Sequence, residues 1–198
     1  VVPIEHLFQE FRTDLKPVFG DLPFSLAEEN LQARIRGVLL MAVSNKFGHI
    51  LLNTSNKSEA AVGYSTIYGD MNGGLSVIAD LYKTEVYALA EWMNRNGEVI
   101  PRNIIEKAPS AELRPDQKDS DSLPEYDILD SILIEYIENR KGPNEIVALG
   151  YDEALVNRIL RLVNINEYKR FQTPPILRVS KKAFGMGRRV PIVGKYLC

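Results

Sequence analysis

The chain has 198 residues, 45% hydrophobic and 25% charged, the balance of an ordinary globular protein long enough to bury a sizeable core. A formal net charge of −2 supplies no basic field of the kind that nucleic-acid binding needs. One cysteine, Cys198, and two distant histidines, His6 and His49, exclude an internal disulfide and argue against a zinc cluster. No apolar run approaches the roughly 20 residues that span a bilayer. Residues 1–20 also mix Glu5, Glu10, Arg12 and Asp14 into their apolar positions, unlike a signal peptide, so a cytoplasmic setting and no membrane partner are expected.

Residues 2–18 are predicted to form an amphipathic helix, with Ile4, Leu7, Phe8, Phe11 and Leu15 at helical spacing. A break at residues 20–23 precedes a second helix, which opens on a capping box formed by Ser25 and Glu28. Its predicted inward stripe is Leu31, Ile35, Val38 and Ala42, and Gly48 closes it. Residues 50–52 suit a short buried parallel strand, followed by a turn and a helix over residues 59–64. After a loop at 69–74, a second strand is expected at 76–79. A helix at 84–94 then follows, with Val86, Leu89, Ala90 and Met93 inward.

Residues 101–124 are rich in Pro, Asp and Ser and read as a long connection without an element of its own. Helices follow around 126–138, 144–149 and 152–163, and Pro174 and Pro175 introduce an irregular basic tail. No acidic residue follows Glu167, whereas eight lysines and arginines do, from Lys169 to Lys195. An anionic partner and a plainly solvated tail both fit that run. Helices with two short apolar strands imply a fragment of a layered α/β fold.

Ligands of open α/β sheets bind beyond the carboxyl ends of the strands. Residues 54–59 occupy that rim: Thr54, Ser55 and Asn56 offer polar groups, and Glu59 could hold Mg²⁺ bound to phosphates. An ordinary helix cap is the plainer reading. Asn30 and Arg34 share a helix face, where Arg34 could grip a phosphate or carboxylate, or make a surface contact only. Gly37 continues that face and permits close approach of backbone or ligand. Lys83 follows the second strand and could neutralise a phosphate or stay solvated. Residues 69–74 fit neither common glycine-rich phosphate loop, and Asp119, Asp121 and Asp127 read as a hydrophilic loop. The residues alone therefore reach a polar rim suited to a phosphorylated ligand.

Several ordered motifs then carry a resemblance. Glu29-Asn30-Leu31-Gln32-Ala33-Arg34-Ile35-Arg36-Gly37 and Asn53-Thr54-Ser55-Asn56-Lys57-Ser58-Glu59 resemble segments of the NAD⁺ synthetases. So do residues 63–70, Lys83-Thr84, Pro109-Ser110-Ala111-Glu112-Leu113-Arg114-Pro115, residues 121–124 and Glu167-Tyr168-Lys169-Arg170. The resemblance spans nearly the whole chain. It implies a Rossmann-like, helix-rich fragment of the ATP pyrophosphatase fold, with residues 1–198 forming the C-terminal part of the synthetase domain and 172–198 an irregular basic tail.

The implied reaction is ATP-dependent amidation of deamido-NAD⁺ through an adenylylated carboxylate, with ATP as cosubstrate and Mg²⁺ as cofactor. By motif, Asn30, Arg34, Tyr64, Ser65, Thr66, Ile67, Tyr168 and Lys169 would contact the dinucleotide. Thr54, Lys83 and Ser110 would hold ATP, Glu59 would bind the metal near the nicotinate, and Glu59 with Lys83 would be catalytic. Residues 101–124 would close as a lid. Thr54, Glu59 and Arg34 are expected around one shared hollow.

The family's Ser-Gly-Gly-x-Asp-Ser pyrophosphate loop and first strand are absent and would lie before Val1. The upstream glutaminase domain is also missing. Ile67 and Gly74 stand where short ammonia-using members tend to carry Lys and Asp, which favours the glutamine-dependent branch. A homodimer or larger homo-oligomer is implied, and this fragment alone is expected to be inactive. The competing readings are a catalytically silent oligomerisation module and another ATP pyrophosphatase that aminates a different carboxylate.

Overall fold

The computed structural model describes residues 1–185 and 187–194; Lys195 and Cys198 lie outside the described residues. The helices are α1 (Glu5–Phe19), α2 (Leu26–Phe47), α3 (Lys57–Val62), α4 (Lys83–Met93), α5 (Arg102–Glu106), α6 (Tyr126–Ile137), α7 (Pro143–Val147), α8 (Glu153–Ile165) and α9 (Glu167–Arg170). Two strands, β1 (Leu52–Asn53) and β2 (Leu75–Ser76), pair in parallel, and Ile176 of the tail bridges β2 from its other side.

The centre of the fold is helical. On α6, Leu129, Ile132, Leu133 and Ile137 recur at i, i+3, i+4 and i+8; on α8, Val156, Ile159, Leu160 and Val163 recur at i, i+3, i+4 and i+7. These stripes face each other, with Ile146 of α7, Ala61 and Val62 of α3 and Phe184 of the tail filling the edges. Burying each such side chain contributes about 1.5–3 kcal/mol.

The predicted capping box at Ser25 and Glu28 closes in full, and Gly48 caps α2 in the left-handed conformation. The predicted stripe of α2 is only half right. Ile35 is buried, but Val38 is 66% exposed and Ala42 is exposed too. The face that packs inward carries small residues instead, Ala33 and Gly37. A Cβ on Gly37 would stand 3.1 Å from the carbonyl oxygens of Tyr68 and Gly69, the close backbone approach that this glycine was read as permitting.

Other expectations shift. The strands cover 52–53 and 75–76 rather than 50–52 and 76–79. α4 has no buried residue, and Leu89 and Met93 are exposed. The segment 101–124 contains α5 and a 3-10 turn at Asp119–Asp121, so it is not featureless. The tail is not merely solvated over its described part. Asp80 accepts hydrogen bonds from the backbone N–H groups of Val179 and Ser180 (2.8 and 2.7 Å) and from the Ser180 hydroxyl. The fully buried Lys57 completes that clasp, with its ammonium 3.1 Å from Asp80 and 2.8 Å from Glu138. Such a burial is tolerable only because each charge is paired.

Candidate active site

Two hollows open beyond the ends of β1 and β2. The first, about 500 Å³, is lined by Thr54, Glu59, Lys83, Ser110, Asp119 and the flat side of α2 at Gly37. The second, about 330 Å³, is lined by Asn30, Arg34, Ser65, Thr66, Ile67, Tyr168 and Lys169. Tyr64, Asp70, Ala111 and Leu113 line both, so the hollows adjoin. Thr54 and Glu59 therefore share one hollow and Arg34 stands in the next, a two-part arrangement in place of the single cavity expected.

Local hydrogen bonding explains how each wall is fixed. At the end of β1, the Asn53 amide donates to the carbonyls of Asp70 (2.6 Å) and Asn72, which ties residues 70–72 to the strand. Asn56 then caps α3. Its side chain accepts the Glu59 N–H, while the Glu59 carboxylate accepts from the Asn56 backbone N–H (3.2 Å) and its amide nitrogen (2.7 Å). That reciprocal box holds the carboxylate at the wall of the first hollow. The helix cap read from the sequence as the plainer alternative is present as Asn56-x-x-Glu59, although α3 starts two residues earlier than the predicted helix.

Lys83 opens α4 with its ammonium 3.7 Å from Glu59 Oε1 and within 6 Å of the Tyr126 and Tyr87 rings. Burial pushes the Glu59 carboxyl above its ordinary value, against the opposing pull of Lys83 and the Asn56 bonds; Asp119 adds to the rise. Asp119, expected in a solvated loop, is 94% buried by complement of its 6% exposure. Its Oδ2 accepts the Tyr126 hydroxyl at 2.8 Å, whereas its Oδ1 has no partner among the described residues. Burial first, then this carboxylate, push the Tyr64 phenol up to about 12. No sequence signal separated Asp119 from its exposed neighbours Ser120 and Asp121.

In the second hollow, the Thr66 hydroxyl donates to Asn30 Oδ1 (2.7 Å), and Arg34 Nε donates to the Ile67 carbonyl (3.2 Å). These bonds fasten residues 66–67 to the face of α2 that Asn30 and Arg34 share. Lys169 donates to the carbonyls of Gly63 (2.6 Å) and Ser65 (2.7 Å), leaving one N–H of its three. Burial lowers its pKa, and the Asp70 charge works in the opposite sense. Residues 110–113 and 119 supply the outer walls, anchored by Gln32 donating to the Leu113 carbonyl and by Arg114 pairing with Glu29. Every residue given a site role by the resemblance lines one hollow or the other; Asn56, named on the rim, lines neither and caps α3 instead, Asp119 was read as part of a hydrophilic loop, and Asp70 and Tyr126 were given no role.

Residues 1–173 match the NAD synthase family. The chain belongs to that family. It is 53% identical over 191 residues to a glutamine-dependent NAD(+) synthetase of Synechocystis, covering 96% of this chain and 34% of that protein. Among solved structures, the glutamine-dependent NAD(+) synthetase of Cytophaga hutchinsonii superposes with a TM-score of 0.77 at 25% identity, over 96% of this chain and 33% of that one. The Acinetobacter baumannii glutamine-dependent NAD⁺ synthetase in complex with ADP gives 0.52 at 46% identity, over 96% and 34%. This NAD synthase chain thus spans about a third of the length of the relatives it matches and is the synthetase portion, with the family's α/β fold.

Proposed function

We propose that the protein carrying this chain amidates the nicotinate carboxylate of deamido-NAD⁺ with ATP, and that its ammonia comes from glutamine hydrolysed by a separate domain. The observation that carries this reading is the pair of adjoining hollows, one walled by Glu59 and Lys83 and the other by Arg34 and Lys169. ATP takes the first hollow, held by Thr54, Lys83 and Ser110. The dinucleotide takes the second, along Asn30, Arg34, residues 64–67, Tyr168 and Lys169, with its carboxylate directed at the junction.

In the first step a carboxylate oxygen attacks the α-phosphorus of ATP and the bond to pyrophosphate breaks. In the second, ammonia attacks the acyl carbon, the bond to AMP breaks, and the nitrogen loses one proton. A carboxylate is a poor acyl donor, and a phosphate leaving group lowers the second barrier. Lys83 neutralises charge that grows on the departing phosphates, and the shared wall at Tyr64 and Asp70 orients the acid.

Glu59 would hold Mg²⁺, whose bound form supplies charge neutralisation at the phosphates. The donor chemistry fits: a carboxylate on the wall and the unpartnered Asp119 oxygen are hard ligands. The test is to incubate the full-length protein with deamido-NAD⁺, ATP, Mg²⁺ and glutamine. Equal yields of NAD⁺, AMP and pyrophosphate are expected; ADP and phosphate, or no amide, would contradict it.

A second reading rests on an independent observation. Val18, Leu22, Phe24, Leu26, Val38, Val43 and Phe47 of the α1–α2 region are all 48–77% exposed. An apolar surface of that kind marks a protein contact, and we assign it to pairing with a second copy of the protein.

A further inference from the structure

Asp130 lies on α6, outside both hollows, and is 2% exposed. Its carboxylate sits between the first turns of two other helices. Oδ1 accepts the Ser58 hydroxyl of α3; Oδ2 accepts both the backbone N–H and the hydroxyl of Thr84 in α4, each at 2.9 Å. The ring closes through Ser58, whose Oγ accepts the Lys83 N–H at 2.9 Å. Ser58 is the residue before Glu59, and Thr84 is the residue after Lys83. One carboxylate therefore grips the chain immediately beside each member of the pair that walls the first hollow.

Burying a carboxylate is unfavourable, and burial raises the pKa of Asp130 despite three donated hydrogen bonds. A leucine at this place would pack in the core with Leu129 and Leu133 but would hold neither helix start. α3 has six residues; apart from this clasp its first residue is tied to the approach to α4 by the Lys57 N–H donated to the Leu81 carbonyl (2.8 Å) and by the Lys57–Asp80 pair, neither of which reaches Glu59 or Lys83 themselves. We infer that Asp130 is a positioning residue: through Ser58 and Thr84 it sets the distance between Glu59 and Lys83, and hence the rate of the chemical step rather than the affinity for either substrate. The inference rests on the reading of Glu59 and Lys83 given above. Misplacing reacting groups by about 1 Å can cost on the order of 100-fold in rate.

The test uses the full-length protein with Asp130→Ala, Asp130→Asn, Ser58→Ala and the Asp130→Ala/Ser58→Ala pair. Asp130→Ala is expected to lower kcat about 10- to 100-fold, with KM for ATP and for deamido-NAD⁺ changed by less than about threefold. Asp130→Asn, which keeps a carbonyl acceptor for Thr84, recovers part of that loss. Ser58→Ala lowers kcat alone but adds little to Asp130→Ala, because the two act as one unit. If Asp130→Ala fails to fold, Asp130→Asn and Ser58→Ala carry the same comparison. Unchanged kcat per folded molecule, a loss confined to KM, or independent multiplication of the two substitutions would overturn the inference. A wild-type protein that makes no NAD⁺ would instead overturn the functional reading beneath it.

Discussion

Glu59 is held between two opposing demands. Burial raises its carboxyl above the ordinary value against the pull of Lys83 at 3.7 Å and the Asn56 bonds, whereas the proposed role as a metal ligand needs the carboxylate. A bound cation would resolve the conflict by stabilising the carboxylate in place. Glu59→Gln keeps the size and one acceptor for Asn56 but cannot carry charge. It is predicted to lower kcat by about 100-fold or more in the full-length protein, with an unchanged circular dichroism spectrum. A variant that retained activity would remove Glu59 from the mechanism. The rim residues Thr54, Glu59 and Lys83 were legible because residues after short apolar strands must fall at one end of the sheet. Asp119 was not legible: beyond its local bond from the Tyr126 hydroxyl, it lies beside Tyr64, a neighbour far away in the chain.

At the scale of elements, α3 shows how a six-residue helix can be made rigid. Asn56 caps its start, and Gly63 ends it in the left-handed region at φ 72°. A Cβ at Gly63 would stand 2.1 Å from the Asn166 side chain, which itself donates to the Val62 carbonyl. Gly63→Ala therefore combines a strained backbone with a clash, at a cost of about 2–4 kcal/mol. Thermal unfolding of the full-length variant should show a midpoint several degrees lower, whereas an unchanged midpoint would contradict this packing. α6 and α8 were readable from periodicity because each buries one broad stripe of large side chains. α2 was misread for the converse reason. Its inward face admits the backbone of residues 68–69 and so requires Ala33 and Gly37, while the larger apolar side chains that dominate the pattern point outward.

At the scale of the molecule, a two-stranded parallel sheet is a small support for two hollows, and much of the rigidity comes from α6, α8 and the tail clasped at Asp80 and Lys57. Beyond them, α1 and α2 present the exposed apolar face assigned to self-association. Replacing Val43 and Phe47 together by Glu places two charges on that face. Light scattering of the full-length protein should then report a smaller particle than the wild type, and an unaltered mass would exclude this face from the contact.

The proposed function has AMP transferred directly onto the acid, and isotopic labelling of the carboxylate reads that transfer. Deamido-NAD⁺ carrying ¹⁸O in the nicotinate carboxylate should deliver one labelled oxygen to AMP for each NAD⁺ formed by the full-length protein. Label found in pyrophosphate or phosphate, with unlabelled AMP, would contradict the account.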